Sequence, residues 1–213
     1  MPGRSKILPV AYFVQPTSNT CQSTVLKMMA AYLDRFNLER GLQTVQLHIP
    51  DIYKTMNQDS ARPDKVDQNS HQNMIWWLKQ RFPKLKFQET VTHREDQAVE
   101  GIVQSIDRDS PVLVSVSHAR VKGHFIMVIG YENYQLKTSR SDFRLVVHDP
   151  YGRFDPSLLS NLYGQQRFTN GMSLICGGET GPGKGVRLSI PNVSRQRAGD
   201  TARGTYFLIS VSL

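Results

Sequence analysis

Only two cysteines, Cys21 and Cys176, occur in 213 residues, too few for the disulfide framework that holds small secreted folds together. No stretch approaches the roughly 18 apolar residues that a membrane-spanning helix needs. Long runs of Lys or Arg are missing, as are zinc-finger spacing and an aromatic-basic RNA signature, which argues against sequence-specific nucleic-acid binding. His118, His124 and His148 lie near one another but lack metal-ligand spacing with cysteines or carboxylates, so neither a metal nor a cofactor is expected. The basic N-terminus leads into an apolar stretch over residues 7–14 that Pro9 interrupts and that no small-residue cleavage site follows. No signal peptide is therefore expected, and the product is expected to be cytoplasmic as synthesised.

What remains is ordinary for one soluble domain. Hydrophobic residues make up 39% and charged residues 21% of the chain, and with no internal repeat the length suits a single unit spanning residues 1–213. The formal charge of +8 favours acidic partners, such as an anionic polymer or an acidic protein.

Helical spacing comes first along the chain and strand spacing later. Val25, Met28, Met29, Tyr32, Leu33 and Phe36 recur at helical intervals after Cys21, with Gly41 as the expected helix end. Residues 52–69 are polar, contain Pro63 and read mostly as loop or a short irregular helix. A second helix is predicted over 70–82, with Met74, Trp77, Leu78 and Arg81 on one stripe and Trp76 and Trp77 in the core. A third, over 95–107, carries Ala98, Val99, Ile102, Val103 and Ile106. Strands are predicted over 111–117, 123–131, 143–150 and 206–211. Helices followed by strands indicate an α+β fold with helices packed on an antiparallel sheet.

Cys21 opens the first helix, with Asn19 as the expected N-cap and Gln22 three residues on, so its thiol lies among unpaired backbone N–H groups where a thiolate is favoured. A lone cysteine is also readable as a small buried hydrophobe. Other residues decide between these readings. The strands containing His124 and Asp149 flank the polar stretch 132–142, and a hairpin centred there sets His124 opposite Asp149. Ile126, Val128 and Gly130 then face Val147, Leu145 and Phe143. Directly opposed residues have Cβ atoms roughly 4.5 to 5.5 Å apart, within reach of a carboxylate–imidazole contact. The three side chains meet the needs of thiol catalysis: His124 takes the proton, and Asp149 orients the ring. The Gln15 carboxamide and the backbone N–H of Cys21 are candidate donors to an oxyanion.

Gln15 before Cys21, then Gly123-His124-Phe125 running into Val128-Ile129-Gly130-Tyr131, then Val147-His148-Asp149-Pro150-Tyr151-Gly152 resemble the papain-type cysteine peptidases related to the bacteriocin-leader peptidases that cut after double glycine. The resemblance spans about residues 11–156 and keeps the order Gln, Cys, His, Asp. It implies a papain-like fold, with Cys21 as nucleophile, His124 as base and acid, Asp149 as orienting group and Gln15 as oxyanion donor. Leader peptidases are usually fused to a membrane exporter, whereas here a stand-alone peptidase is expected, with 157–213 as an extension. Within it, residues 178–185 look like a phosphate-binding loop, but Gly185 stands where Ser or Thr would meet magnesium, so a Gly/Pro-rich rim loop is the preferred reading.

The expected function is hydrolysis of a peptide-type amide through an acyl-thioester. The substrate is expected to be a protein cut at a glycine-containing site or the stem peptide of bacterial cell wall. A basic hydrolase without its own export signal also suits a toxin delivered by a specialised secretion system and restrained by an acidic inhibitor or immunity protein. Acyl transfer by the same residues and a non-catalytic papain-fold binding module are the alternatives.

Overall fold

The computed structural model describes residues 3–15, 20–39, 46–67, 70–116, 123–135, 142–150, 183–195 and 201–212, with side chains 36–39 excepted. Asn19, Gly41, His118, Cys176 and residues 178–182 lie outside these. Expectations placed on them were a helix cap, a helix end, one of the three neighbouring histidines, the second cysteine and most of the Gly-rich loop.

Helix α1 (Cys21–Glu39) buries Val25, Met28, Met29, Tyr32 and Leu33, the stripe expected from their spacing. Helix α2 (Ile49–Gln58) is a regular helix where a loop or a short irregular helix was expected from residue 52 onward. Its apolar stripe begins at Ile49 and continues through Ile52 and Met56, and Pro50 in the first turn starts the helix at no hydrogen-bonding cost. Only the stretch after it is irregular. There the buried Asn73 carboxamide donates to the Asp64 carbonyl (3.0 Å) and accepts from the Asp64 amide (2.9 Å), substituting for a backbone partner. Helix α3 (His71–Arg81) starts where Ser70 accepts from the Gln72 amide and buries Trp77, while Trp76 packs partly exposed on the core. Helix α4 (Glu95–Asp107) buries the five residues its periodicity named.

The strands are β1 (Arg4–Ile7), β2 (Lys86–Thr92), β3 (Val112–Val116), β4 (His124–Tyr134), β5 (Arg144–His148), β6 (Val186–Leu188) and β7 (Tyr206–Ser212). They form one sheet in the order β2-β7-β3-β4-β5-β6, with β1 also on β4, and every pairing is antiparallel. Helix α1 lies against β4 and against α2 and α3, while α4 lies chiefly on β7 and β4. The α+β class, with helices packed on an antiparallel sheet, is therefore correct. Among the described residues, no helix is long and apolar enough to cross a membrane.

The β4–β5 register differs from the expected one. Val128 faces Val147 rather than Leu145, and Met127 faces His148. A bulge between Val128 and Gly130 then sets Gly130 against Val146 and Tyr131 against Leu145. Strand β4 runs on to Tyr134, well into the stretch read as a turn, and the bulge adds a residue to one strand only, so symmetry about the polar segment misplaces the pairing. Before the bulge the shift is two residues, which leaves side-chain alternation unchanged. His124 and Asp149 consequently still meet, though not as a directly opposed pair.

Gly130 has a further role. A Cβ there would lie 2.4 Å from the Lys6 carbonyl oxygen and 2.8 Å from the Ile7 Cα. Only glycine lets β1 reach β4 at this point, and from that contact the chain continues through Leu8, whose amide donates to Ile129 (2.8 Å), toward the site.

Candidate active site

Cys21 is the first residue of α1 and a free thiol, 9% exposed. The Thr20 carbonyl accepts from both the amide (2.9 Å) and the hydroxyl (2.8 Å) of Thr24, so the cap position falls on Thr20, one residue later than expected. The Cys21 amide precedes the first intrahelical donor and points out of the helix start with its neighbours, giving the sulfur a positive electrostatic setting.

His124 begins β4, where Val116 of β3 holds its backbone, and its ring is buried. Its Nε2 meets Asp149 Oδ1 at 2.7 Å, and Asp149 is 1% exposed. A carboxylate accepts only, so Nε2 carries a proton and the nitrogen left to face the thiol is Nδ1. Burial acts against a charged ring. The Asp149 charge and hydrogen bond, joined by a hydrogen bond to Cys21 and its charge, outweigh burial and raise the His124 pKa from 6.5 to about 10. An imidazolium is thus held beside the sulfur across the neutral range.

The Asp149 strand end is braced from two directions. From the N-terminal segment, Tyr12 donates its hydroxyl to the Asp149 carbonyl (3.0 Å) and the Gln15 amide donates to the Pro150 carbonyl (2.9 Å). On the other side, the Asp149 amide donates to the Gly183 carbonyl (2.9 Å). Gln15 is fully buried, and its backbone bond ties the residue six before Cys21 to the residue after Asp149. All four predicted site residues thus lie on connected segments, although the Gln15 carboxamide is located here only by its backbone and burial.

The Peptidase_C39 like family matches residues 7–169, well over half of the chain. The chain belongs to that family. No curated protein and no solved structure gives a match. Membership in the Peptidase_C39 like family makes it a relative of the papain-type cysteine peptidases. The family match starts four residues before the motif-based resemblance and ends inside the expected extension.

Sequence reasoning did not find the residues that brace this family member's carboxylate. Tyr12 looked like one more apolar residue of the 7–14 stretch, and His148 like one of three neighbouring histidines without metal-ligand spacing. Gly185 counted against a phosphate loop. In the structure it adopts a φ of 63°, a left-handed conformation that favours glycine, and its amide donates to His148.

Proposed function

We propose that the protein is a cysteine peptidase that cleaves a peptide-type amide bond through Cys21, His124 and Asp149. The observation that carries this reading is the 2.7 Å contact of His124 Nε2 with Asp149, in a ring that also hydrogen-bonds the helix-start thiol. Cys21 attacks the carbonyl carbon as a thiolate, and the carbonyl π electrons move to oxygen. The oxyanion is held by the Cys21 backbone N–H and the Gln15 carboxamide. Collapse breaks the C–N bond as His124 gives its Nδ1 proton to the leaving amine, which leaves a thioester and a neutral ring. Water then loses a proton to His124 and adds to the thioester, and expulsion of the thiolate completes hydrolysis and restores the imidazolium. Asp149 keeps the ring in the orientation and tautomer both halves need.

Cleavage of protein at a glycine-containing site is supported by the resemblance to the leader peptidases. Restraint by an acidic inhibitor, as for a delivered toxin, is supported by the formal charge of +8. The test is mass spectrometry of products after incubation with a whole proteome and, separately, with cell-wall fragments, comparing the natural chain with Cys21→Ala. New peptide termini that appear only with the natural chain are expected. Identical product sets from both proteins would remove Cys21 from the chemistry.

A further inference from the structure

His148 is a second buried histidine of the site, and the chemistry above does not use it. Its Nε2 donates to the Val10 carbonyl at 3.0 Å, and its Nδ1 accepts from the Gly185 amide at 3.1 Å. A backbone carbonyl can only accept and a backbone amide can only donate, so these two partners match a neutral ring with its proton on Nε2. The Tyr12 ring meets it edge-on at 5.3 Å, and the Tyr12 hydroxyl goes on to the Asp149 carbonyl. His148 therefore touches both braces of Asp149, the N-terminal segment at Val10 and the 183–185 turn whose first residue accepts the Asp149 amide.

We propose that His148 is a positioning residue that holds Asp149 on His124 only while its own ring is neutral, and that protonation at Nδ1 releases the Gly183–Gly185 anchor and lowers the reactivity of Cys21. The proton comes from solvent, and the bond that breaks is the Gly185 N–H to Nδ1 hydrogen bond, since a protonated Nδ1 no longer accepts. Among the described residues, the titratable and charged groups around the ring are Tyr12 from the N-terminal segment, Lys184 from the turn and Asp149, next to it on its own strand end, while its partner on β4, Met127, is uncharged. Burial, and secondarily the Lys184 charge, disfavour the imidazolium, against the bonds to Val10 and Val147. The neutral ring is thus the resting state near neutrality, and the transition lies on the acid side of the ordinary histidine range.

This inference rests on the reading of Cys21 as the nucleophile, so the experiment separates the two. The rate of Cys21 alkylation by iodoacetamide is followed from about pH 5 to pH 8, the span of histidine switching, with mass spectrometry assigning the label to Cys21 or Cys176. In parallel, the ¹⁵N shifts of the His148 ring report its tautomer. The natural chain is expected to lose reactivity toward the acid end by about tenfold to a hundredfold, the scale of a small misplacement of a catalytic group, in step with protonation of His148 Nδ1. His148→Asn, which keeps an acceptor for Gly185 but does not titrate in this range, is expected to lose that acid step. His148→Phe is expected to react slowly at every pH while its circular dichroism stays folded. An acid step unchanged in His148→Asn, no acid step in the natural chain, or a His148 ring that stays neutral through the step would each overturn the proposal. Label on Cys176 in place of Cys21 at all pH values would instead overturn the assignment of the nucleophile, and the positioning role with it.

Discussion

Tyr12 and Asp149, 137 residues apart in sequence, are joined by a 3.0 Å hydrogen bond from the phenol to the backbone carbonyl. Both are buried, so the bond fixes the height of the carboxylate beneath His124 without occupying the carboxylate itself. Tyr12→Phe keeps the ring against His148 and removes only the donor. A stability loss of about 1 kcal/mol is expected in urea denaturation, with slower Cys21 alkylation at neutral pH. An alkylation rate equal to that of the natural chain would show that Asp149 needs no support from this side.

Gln15 is fully buried, which makes truncation to alanine a poor probe, since it would open a cavity as well as delete a donor. Gln15→Met keeps the length of the side chain and lacks the N–H. Single-turnover acylation is expected to fall by about a hundredfold or more, the scale of one lost oxyanion donor. The melting temperature should move far less than acylation does. Unchanged acylation would remove Gln15 from the site.

Replacing Asp149 with asparagine removes the charge that offsets burial at His124. The His124 pKa, raised to about 10 in the natural chain, is then expected to fall, because only the hydrogen bond and charge of Cys21 are left to oppose burial. An NMR titration of the ring reads this directly, and iodoacetamide reactivity at neutral pH should fall with it.

Stability should respond to the two histidines in opposite senses. For His124 the folded pKa lies above the unfolded value, so its contribution is full below about pH 6.5 and is lost as pH rises through about 10. For His148 the folded pKa lies below the unfolded value. The unfolded chain then takes up a proton that the folded one refuses, and stability falls as pH drops below about 6.5. Thermal melts across pH should show both limbs. His124→Gln should flatten the alkaline one and His148→Asn the acid one. The reverse assignment of limbs would contradict the hydrogen-bonding scheme at both rings.

Gly130→Ala sets a methyl against the backbone of Lys6 and Ile7, which cannot turn aside as a side chain would. A loss of about 1 to 3 kcal/mol is expected, as for other overpacked sites. Because β1 launches the segment that carries Tyr12 and Gln15, alkylation of Cys21 should slow in the same variant. The same substitution at Gly204, where nothing lies within 4 Å but φ is 79°, separates backbone strain from this clash.

The three helices read from apolar periodicity stand close to their predicted limits because each buries a regular stripe, and residues such as Met74 and Ile102 announce that stripe in sequence. Strand β1, with a single partly buried residue among four, has no such pattern and exists because Gly130 admits it. Strand β2 was equally hidden: its polar Gln88, Glu89 and Thr90 mask the alternation, and pairing with β7 along its whole length defines it. His124 and Asp149 were legible as partners because alternation survives a two-residue shift, whereas their register depended on a bulge that composition does not mark. The supports of Asp149 were not legible, since a hydrogen bond between Val10 and His148 depends on two segments 138 residues apart.

Those long separations also bear on when the site can exist during synthesis. A chain still emerging from the ribosome displays the thiol early, then the histidine, and only after residue 149 the carboxylate. The turn that holds that carboxylate by its amide comes later still, at Gly183. Contacts of such high sequence separation form late, because the loop they close must first be ordered. On the proposed reading of the site, the unfinished chain is a thiol whose ion-pair partner is not yet held in place, and reactivity arrives together with the completed sheet rather than ahead of it.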